Sequence, residues 1–226
     1  MKISENKFTF LGYCQPVLSM LLEIIFASHG NDFSIDIVCN MEHSEFESVP
    51  YMPSNNISNT IIYYTSWEKN KSRFCIGVSK PQSKLIVYEF FNKNFGILVN
   101  EYTKLIHPFS SVSNTTTISY GSVINPGVII APFSQIKNFV TINRSVSIGH
   151  HTVIEDFSTI NPGSNIAGKC LIESGVTIGM GANIIDGLTI GRNSIIGAGS
   201  LVTKNIPPNV VAYGNPAKVI REINRA

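Results

Sequence analysis

The sequence reads as a small α/β domain followed by an all-β parallel β-helix, and three observations carry that reading. From Ile118 to Ile196 an isoleucine stands at every sixth residue (Ile118, Ile124, Ile130, Ile136, Ile142, Ile148, Ile154, Ile160, Ile166, Ile172, Ile178, Ile184, Ile190, Ile196), and Val112 and Val202 extend the series. Four residues after each of these, small side chains prevail: Ser122, Ser134, Thr152, Ser158, Ser164, Cys170, Ala182, Ser194 and Ser200. One position earlier, glycine recurs at Gly121, Gly127, Gly163, Gly175, Gly181, Gly187 and Gly199. A strict six-residue period fits neither a helix nor a simple alternating strand, whereas a solenoid whose every hexad makes one short strand and one corner accounts for it. The small residues leave room beside the isoleucine in a narrow core. The glycines mark corners that need positive φ. An antiparallel sandwich with scattered turns would not hold phase through so many repeats.

The chain before the repeats has a different grammar. Phe8–Leu11 is a short apolar run ending at Gly12. Pro16 opens an expected helix through Ala27, with Val17, Leu18, Leu21, Leu22, Ile24 and Ile25 as its buried face. Ser34–Cys39, Thr60–Tyr64 and Phe74–Val78 read as further strands, Lys80–Asn92 as a second helix, and Gly96–Val99 as a last strand before the repeats. Alternating strand and helix predict a small parallel sheet. Such a sheet takes ligands beyond the carboxyl ends of its strands, here Gly12–Gln15, Asn40–Glu42 and Gly77–Lys80, and a nucleotide is the expected guest. The domain boundary is placed at residues 105 and 106, giving domains 1–105 and 106–226.

Composition sets outer limits. The 226 residues are 43% hydrophobic and 14% charged, with a formal net charge of +2, which describes a globular chain with ample core and gives no sign of nucleic-acid binding. Cys14, Cys39, Cys75 and Cys170 are far apart and form no CxxC pair, so they suggest a reducing, cytoplasmic setting and buried packing roles. The longest apolar stretch, Val17–Ala27, is too short to span a bilayer and contains Glu23, and no signal peptide is expected.

The hexad run resembles the hexapeptide-repeat acyltransferases. "FCIGVSK" (Phe74–Lys80), "LIHPFSSVS" (Leu105–Ser113) and "YGNPAKVI" (Tyr213–Ile220) extend the resemblance over the chain. With them the chain looks like the bacterial nucleotide-sugar N-acetyltransferases of the sialic-acid O-acetyltransferase superfamily, which serve surface-glycan and O-antigen pathways. The resemblance implies a Rossmann-like nucleotide-sugar domain, a left-handed β-helix with three hexads per coil, acetyl-CoA as acyl donor, no metal, and a homotrimer. "LGYCQP" departs from the family's glycine-rich first loop. Gly12, Tyr13, Asn40, Gly77 and Ser79 are the expected nucleotide-sugar contacts.

Three hexads per coil stack side chains 18 residues apart at about 4.8 Å. Pro132, His150, Gly168 and Asp186 then form one ladder, and Asn125, Asn143 and Asn161 another. His150 matches the family's general base, and imidazole suits that task because its ordinary pKa near 6.5 lets it accept a proton at neutral pH. Gly168 is expected above it, with its amide directed at the thioester oxygen. The family commonly places an acidic residue or asparagine after the base, and here stands His151. His151, Asp156 and Asp186 are the candidates for orienting His150. Asn143 matches an asparagine near the acceptor sugar, while its neighbours make a structural asparagine ladder an equally fair reading. Thr159, Gly168, Met180 and Ala198 match the pantetheine path, and Lys204, Lys218 and Arg221 are candidates for the CoA phosphates or for a solvated cap.

The expected reaction is acetyl transfer from acetyl-CoA to the amine of a nucleotide-linked amino-deoxysugar, with a 4-amino-4,6-dideoxyhexose as the expected acceptor. Transfer to a sugar hydroxyl and an inactive nucleotide-sugar-binding module are the alternatives. A γ-type carbonic anhydrase is discounted, because it needs three zinc-binding histidines and the repeats contain two, side by side.

Overall fold

A computed structural model of the chain describes residues 6–40 and 57–223. The chain divides into two units, Met1–Pro108 and Phe109–Ala226.

In the first unit, strands β1 (Lys7–Leu11), β2 (Ser34–Cys39), β3 (Ser58–Tyr63) and β4 (Arg73–Ile76) alternate with helices α1 (Gln15–His29) and α2 (Pro81–Phe95). All strand pairs are parallel and the sheet order is β3-β2-β1-β4. Phe8, Phe10, Leu11, Ile35, Ile37 and Val38 are fully buried, consecutive residues included, as a parallel sheet covered on both faces requires. Helix α1 buries Val17, Leu18, Leu21, Leu22, Ile24 and Ile25. Around α2, Trp67 packs edge-on against Phe74 and Phe91.

The expected strand Gly96–Val99 does not form. Gly96 instead caps α2 in the left-handed conformation (φ 62°) and its N–H reaches back to Asn92 O and Phe91 O. A 3-10 turn follows at Val99–Glu101, where the Leu98 N–H donates to Glu101 Oε2 at 2.8 Å. The segment's polar backbone is thus satisfied locally and needs no sheet partner. Of the expected loop Asn40–Glu42, Met41 and Glu42 lie outside the described residues.

The second unit is a left-handed parallel β-helix of two-residue strands, three hexads to the coil. One face carries Ile124, Ile142, Ile160, Ile178 and Ile196, and ends on the strand Val210–Gly214. A second carries Val112, Ile130, Ile148, Ile166, Ile184 and Val202, and the third Ile118, Ile136, Ile154, Ile172 and Ile190. From Ile124 onward these isoleucines are at most 3% exposed and make one continuous core. The strand Ala217–Glu222 folds back antiparallel on Val210–Gly214 and closes the far end.

The small residues of each hexad turn out to join coils as well as to leave room. Ser122 Oγ donates to Lys137 O at 2.6 Å and accepts the Val140 N–H at 3.1 Å, and Thr152 and Ser158 repeat that double bond five and six hexads on. The corners also differ from expectation. The position three after each core isoleucine has positive φ throughout, yet Phe133, Phe139, Ser145, His151, Phe157, Lys169 and Asn193 occupy it alongside the glycines. Left-handed backbone costs a side-chain-bearing residue roughly 1–2 kcal/mol. Stacking between coils offsets this, since Phe139 and Phe157 lie parallel at 5.0 Å between ring centroids.

Replacing Ile160 by Ala removes a fully buried side chain from the middle of this core, and the expected cost is about 2–5 kcal/mol, read as a lower urea midpoint for the β-helix. In the first unit, Lys84 lies on the buried face of α2, and desolvation lowers its pKa to about 7. Unfolding restores the ordinary value near 10.5, so between about pH 7 and pH 10.5 the unfolded chain binds more protons and stability rises with pH. Lys84→Met is expected to flatten that rise in urea titrations.

Candidate active site

In the first unit, the sheet order reverses between β1 and β4, and the carboxyl ends of these strands open a cavity of about 380 Å³. Tyr13 and Cys14 after β1, Asn40 after β2, and Ser79 and Lys80 after β4 line it. Cys14 and Lys80 are also the N-cap residues of α1 and α2, and neither helix has a side-chain cap. The N-termini of both helices, with their positive dipole ends, therefore meet this cavity beside the Lys80 side chain, which suits a phosphate-bearing ligand. Ile86 and Val87 add an apolar wall.

Of the five residues expected to contact a nucleotide sugar, Tyr13, Asn40 and Ser79 line the cavity, whereas Gly12 and Gly77 are not among its lining residues. Their glycines serve packing. A Cβ on Gly77 would come within 2.4 Å of Gly12 O and 2.9 Å of Leu18 Cδ2, and one on Gly12, at φ 84°, would meet Val87 Cγ2 at 3.1 Å. The cysteines were expected to be buried. Cys39, Cys75 and Cys170 are, but Cys14 is partly exposed at the cavity wall.

In the second unit, the 18-residue rule places the ladder of His150 as anticipated. The His151 N–H donates to Pro132 O (3.1 Å), the Lys169 N–H to His150 O (2.8 Å) and the Gly187 N–H to Gly168 O (3.0 Å). The exposed His150 ring lies flat against Gly168: a Cβ there would sit 2.9 Å from both His150 Nε2 and Cε1. Glycine at 168 thus makes room for the imidazole. The Gly168 N–H has no acceptor among the described residues. Beneath it lies Gly149, whose Cβ, if present, would be 2.4 Å from Gly168 N. Gly149 escaped the sequence reading because it falls one position after the core isoleucine, outside the corner pattern.

His150 Nδ1 and His151 Nδ1 are 3.0 Å apart with the rings nearly perpendicular. The His151 ring rests on Phe133, centroids 5.0 Å apart. Neither other candidate partner reaches His150: Asp156 Oδ1 accepts the Asn138 N–H at 2.7 Å, and Asp186 has no bond to either imidazole.

The remaining expected residues are dispersed. Asn143 donates from Nδ2 to Ile160 O, as Asn125 does to Ile142 O and Asn161 to Ile178 O, so its amide belongs to an inter-coil ladder. Met180 and Ala198 share a different corner row from His150, marked by the Gly199 N–H donating to Met180 O. Both are exposed, while Thr159 is buried on the face that leads to their edge. Lys204, Lys218 and Arg221 are exposed near the end of the chain. His150 and Met180 therefore stand on different edges of the β-helix. Among the described residues, no group of three or more His, Cys, Asp or Glu side chains is gathered as metal ligands would be, and no helix is long and apolar enough to cross a membrane.

Comparison with known proteins gives a consistent fold. Residues 169–204 match the family described as Bacterial transferase hexapeptide (six repeats). A perosamine N-acetyltransferase variant from Caulobacter crescentus, solved with CoA and GDP-perosamine, superposes with a TM-score of 0.74 at 21% identity, covering 96% of this chain and 97% of that one. The acetyltransferase domain of PglB from Neisseria gonorrhoeae FA1090, solved with acetyl coenzyme A, gives 0.77 at 22%, covering 95% and 99%. WeeI from Acinetobacter baumannii AYE gives 0.75 at 20%, covering 95% and 99%. Galactoside O-acetyltransferase of Escherichia coli (strain K12) is 78% identical over 27 residues, which is 12% of this chain and 13% of that protein.

Because Cys14 is the one cysteine not buried, a thiol reagent is expected to modify one equivalent rapidly in the native chain and all four after denaturation. Cys14→Ser should abolish the fast phase.

Proposed function

We propose that the chain transfers an acetyl group from acetyl-CoA to the amine of a nucleotide-linked amino-deoxysugar, with His150 as general base. The observation that carries this reading is the His150 imidazole lying on Gly168, beside a Gly168 N–H left without a protein acceptor. The neutral amine attacks the thioester carbonyl, forming the C–N bond, and His150 Nε2 takes the amine proton. The Gly168 N–H faces the oxyanion of the tetrahedral intermediate, a contribution typically worth about 3 kcal/mol. Collapse breaks the C–S bond, and the proton on Nε2 passes to the departing CoA thiolate. The products are the acetamido sugar and free CoA.

The cavity of the first unit suits the nucleotide, with the two helix N-termini and Lys80 toward its phosphates and Tyr13, Asn40 and Ser79 around it. Two structural neighbours were solved with CoA or acetyl coenzyme A, and one of these with GDP-perosamine, a nucleotide-linked amino sugar. A 4-amino-4,6-dideoxyhexose is the acceptor we favour, in a cytoplasmic pathway to a surface glycan or O-antigen. The homotrimer answers the dispersal of the site. In it, the His150 edge of one copy faces the Thr159, Met180 and Ala198 side of the next, and acetyl-CoA runs between them with Lys204, Lys218 and Arg221 toward its phosphates. Asn143 stays in the proposal through its side-chain oxygen and its second amide N–H, since one N–H is committed to Ile160 O.

Transfer to a hydroxyl is the second reading, favoured by the 27-residue identity with galactoside O-acetyltransferase. Thiol release from acetyl-CoA, measured with UDP-, GDP- and dTDP-linked 3-amino and 4-amino sugars beside their hydroxyl counterparts, separates the two. An amino sugar should turn over, and His150→Ala should lower kcat by about 100-fold or more. Turnover that survives His150→Ala would remove His150 from its role, and turnover only with hydroxyl sugars would replace the acceptor.

A further inference from the structure

His150 and His151 meet through like atoms. Nδ1 faces Nδ1 at 3.0 Å, so the bond needs one proton between the two nitrogens: one ring donates and the other accepts. Two arrangements satisfy it, and they differ in what His150 presents to the site. If His151 donates, the neutral His150 ring carries its second-site proton on Nε2 and has no lone pair there. If His150 donates, Nε2 is bare and able to take a proton.

The structure around His151 decides between acting and merely filling space. Residue 151 is a left-handed corner, φ 58°, a conformation that glycine adopts freely and asparagine or aspartate tolerates better than most. Its ring is fixed from below by Phe133 and its N–H by Pro132 O. His150 is fixed from above by Gly168. Two rings held independently therefore converge on one hydrogen bond. No carboxylate competes for it: among the described residues, neither Asp156 nor Asp186 bonds to either imidazole. The charged residues of the adjoining coils are Lys169, 18 residues after His151, and farther up the neighbouring row Asp186 and then Lys204.

We propose that His151 is the positioning residue for His150, a neutral imidazole that accepts from His150 Nδ1–H and so keeps the lone pair on His150 Nε2. The assignment rests on the acyl-transfer reading for its use, but its geometry stands apart from it. When Nε2 takes a proton, His150 becomes an imidazolium whose Nδ1–H bond to His151 is charge-assisted and stronger. The pair then carries one added positive charge. A further proton on His151 Nδ1 would set two N–H groups face to face and break the bond.

Three variants at residue 151 separate positioning from packing. His151→Gly relieves the corner and deletes the acceptor; His151→Asn restores an acceptor oxygen; His151→Asp restores one with charge. Relative to the intact chain, His151→Gly is expected to lower kcat by about 10- to 100-fold with KM for both substrates little changed. His151→Asn should recover most of that loss. His151→Asp should recover it and move the acid limb of the pH profile upward, because the carboxylate favours imidazolium. The intact chain has five histidines, so nitrogen NMR of its imidazoles is tractable. It should show neutral His150 with its proton on Nδ1, and His151→Gly should release that preference. A proton on Nε2 of His150 in the intact chain would overturn the proposal. So would equal impairment of the Gly and Asn variants, or full activity in His151→Gly. If NMR gives the expected tautomer but no amino sugar in the panel turns over, the positioning holds and the acyl-transfer reading is what fails.

Discussion

The inter-coil register fixes everything in the second unit. Each strand N–H reaches a carbonyl 17 residues ahead, as from Thr141 to Ser158 O at 3.0 Å and from Thr159 to Val176 O at 2.8 Å. That spacing stacks isoleucine on isoleucine along three faces and aligns corner on corner. Two-residue strands are far too short to persist alone, so each coil depends on its neighbours for both core and backbone partners. The buried hydroxyls of Ser122, Thr152 and Ser158 tighten the same register from inside, satisfying backbone groups that no strand reaches. His150 meets Gly168 because the register permits no other pairing.

Much of this was legible because a period is a long-range contact written locally. Once 18 residues make a coil, Ile142 over Ile160 and His150 under Gly168 follow by counting. What counting misses is direction. The sequence placed Gly12 and Gly77 at a ligand, where their missing side chains in fact let β1, β4 and the helices close on one another. It read Asn143 with two meanings, and the amide hydrogen bond to Ile160 O accounts for one of them. It could not choose a partner for His150, since Asp156 and His151 are both nearby in number and only the corner geometry turns Asp156 toward Asn138. Gly96 looked like the start of a strand because an apolar run follows it, and the helix cap took precedence.

The first unit reaches its cavity by a separate rule. A chain that runs from β1 outward to β3 and then returns to the other side of β1 leaves a cleft where the direction changes. Pro16 and Pro81 stand in the first turn of the two helices just beyond that cleft and help to fix where the helix N-termini point. Gly12 and Gly77 let the strands and helices close on one another, and the side chains that line the cavity, among them Tyr13 and Lys80, stand on the turns that follow. Sequence reasoning found the turns, but the residues that line the cavity are those that follow the glycines rather than the glycines themselves.

A ladder that pairs each residue with the one 18 positions on also sets how such a chain can change in length. Insertion of a whole coil lengthens the prism and leaves every later residue on its own edge. Insertion of a single hexad between His150 and Gly168 keeps the isoleucines inward, so the solenoid still closes, yet it turns all that follows by one third of a revolution and carries Gly168 to another edge. The architecture therefore tolerates a lineage of lengths while holding the histidine and its glycine to one phase.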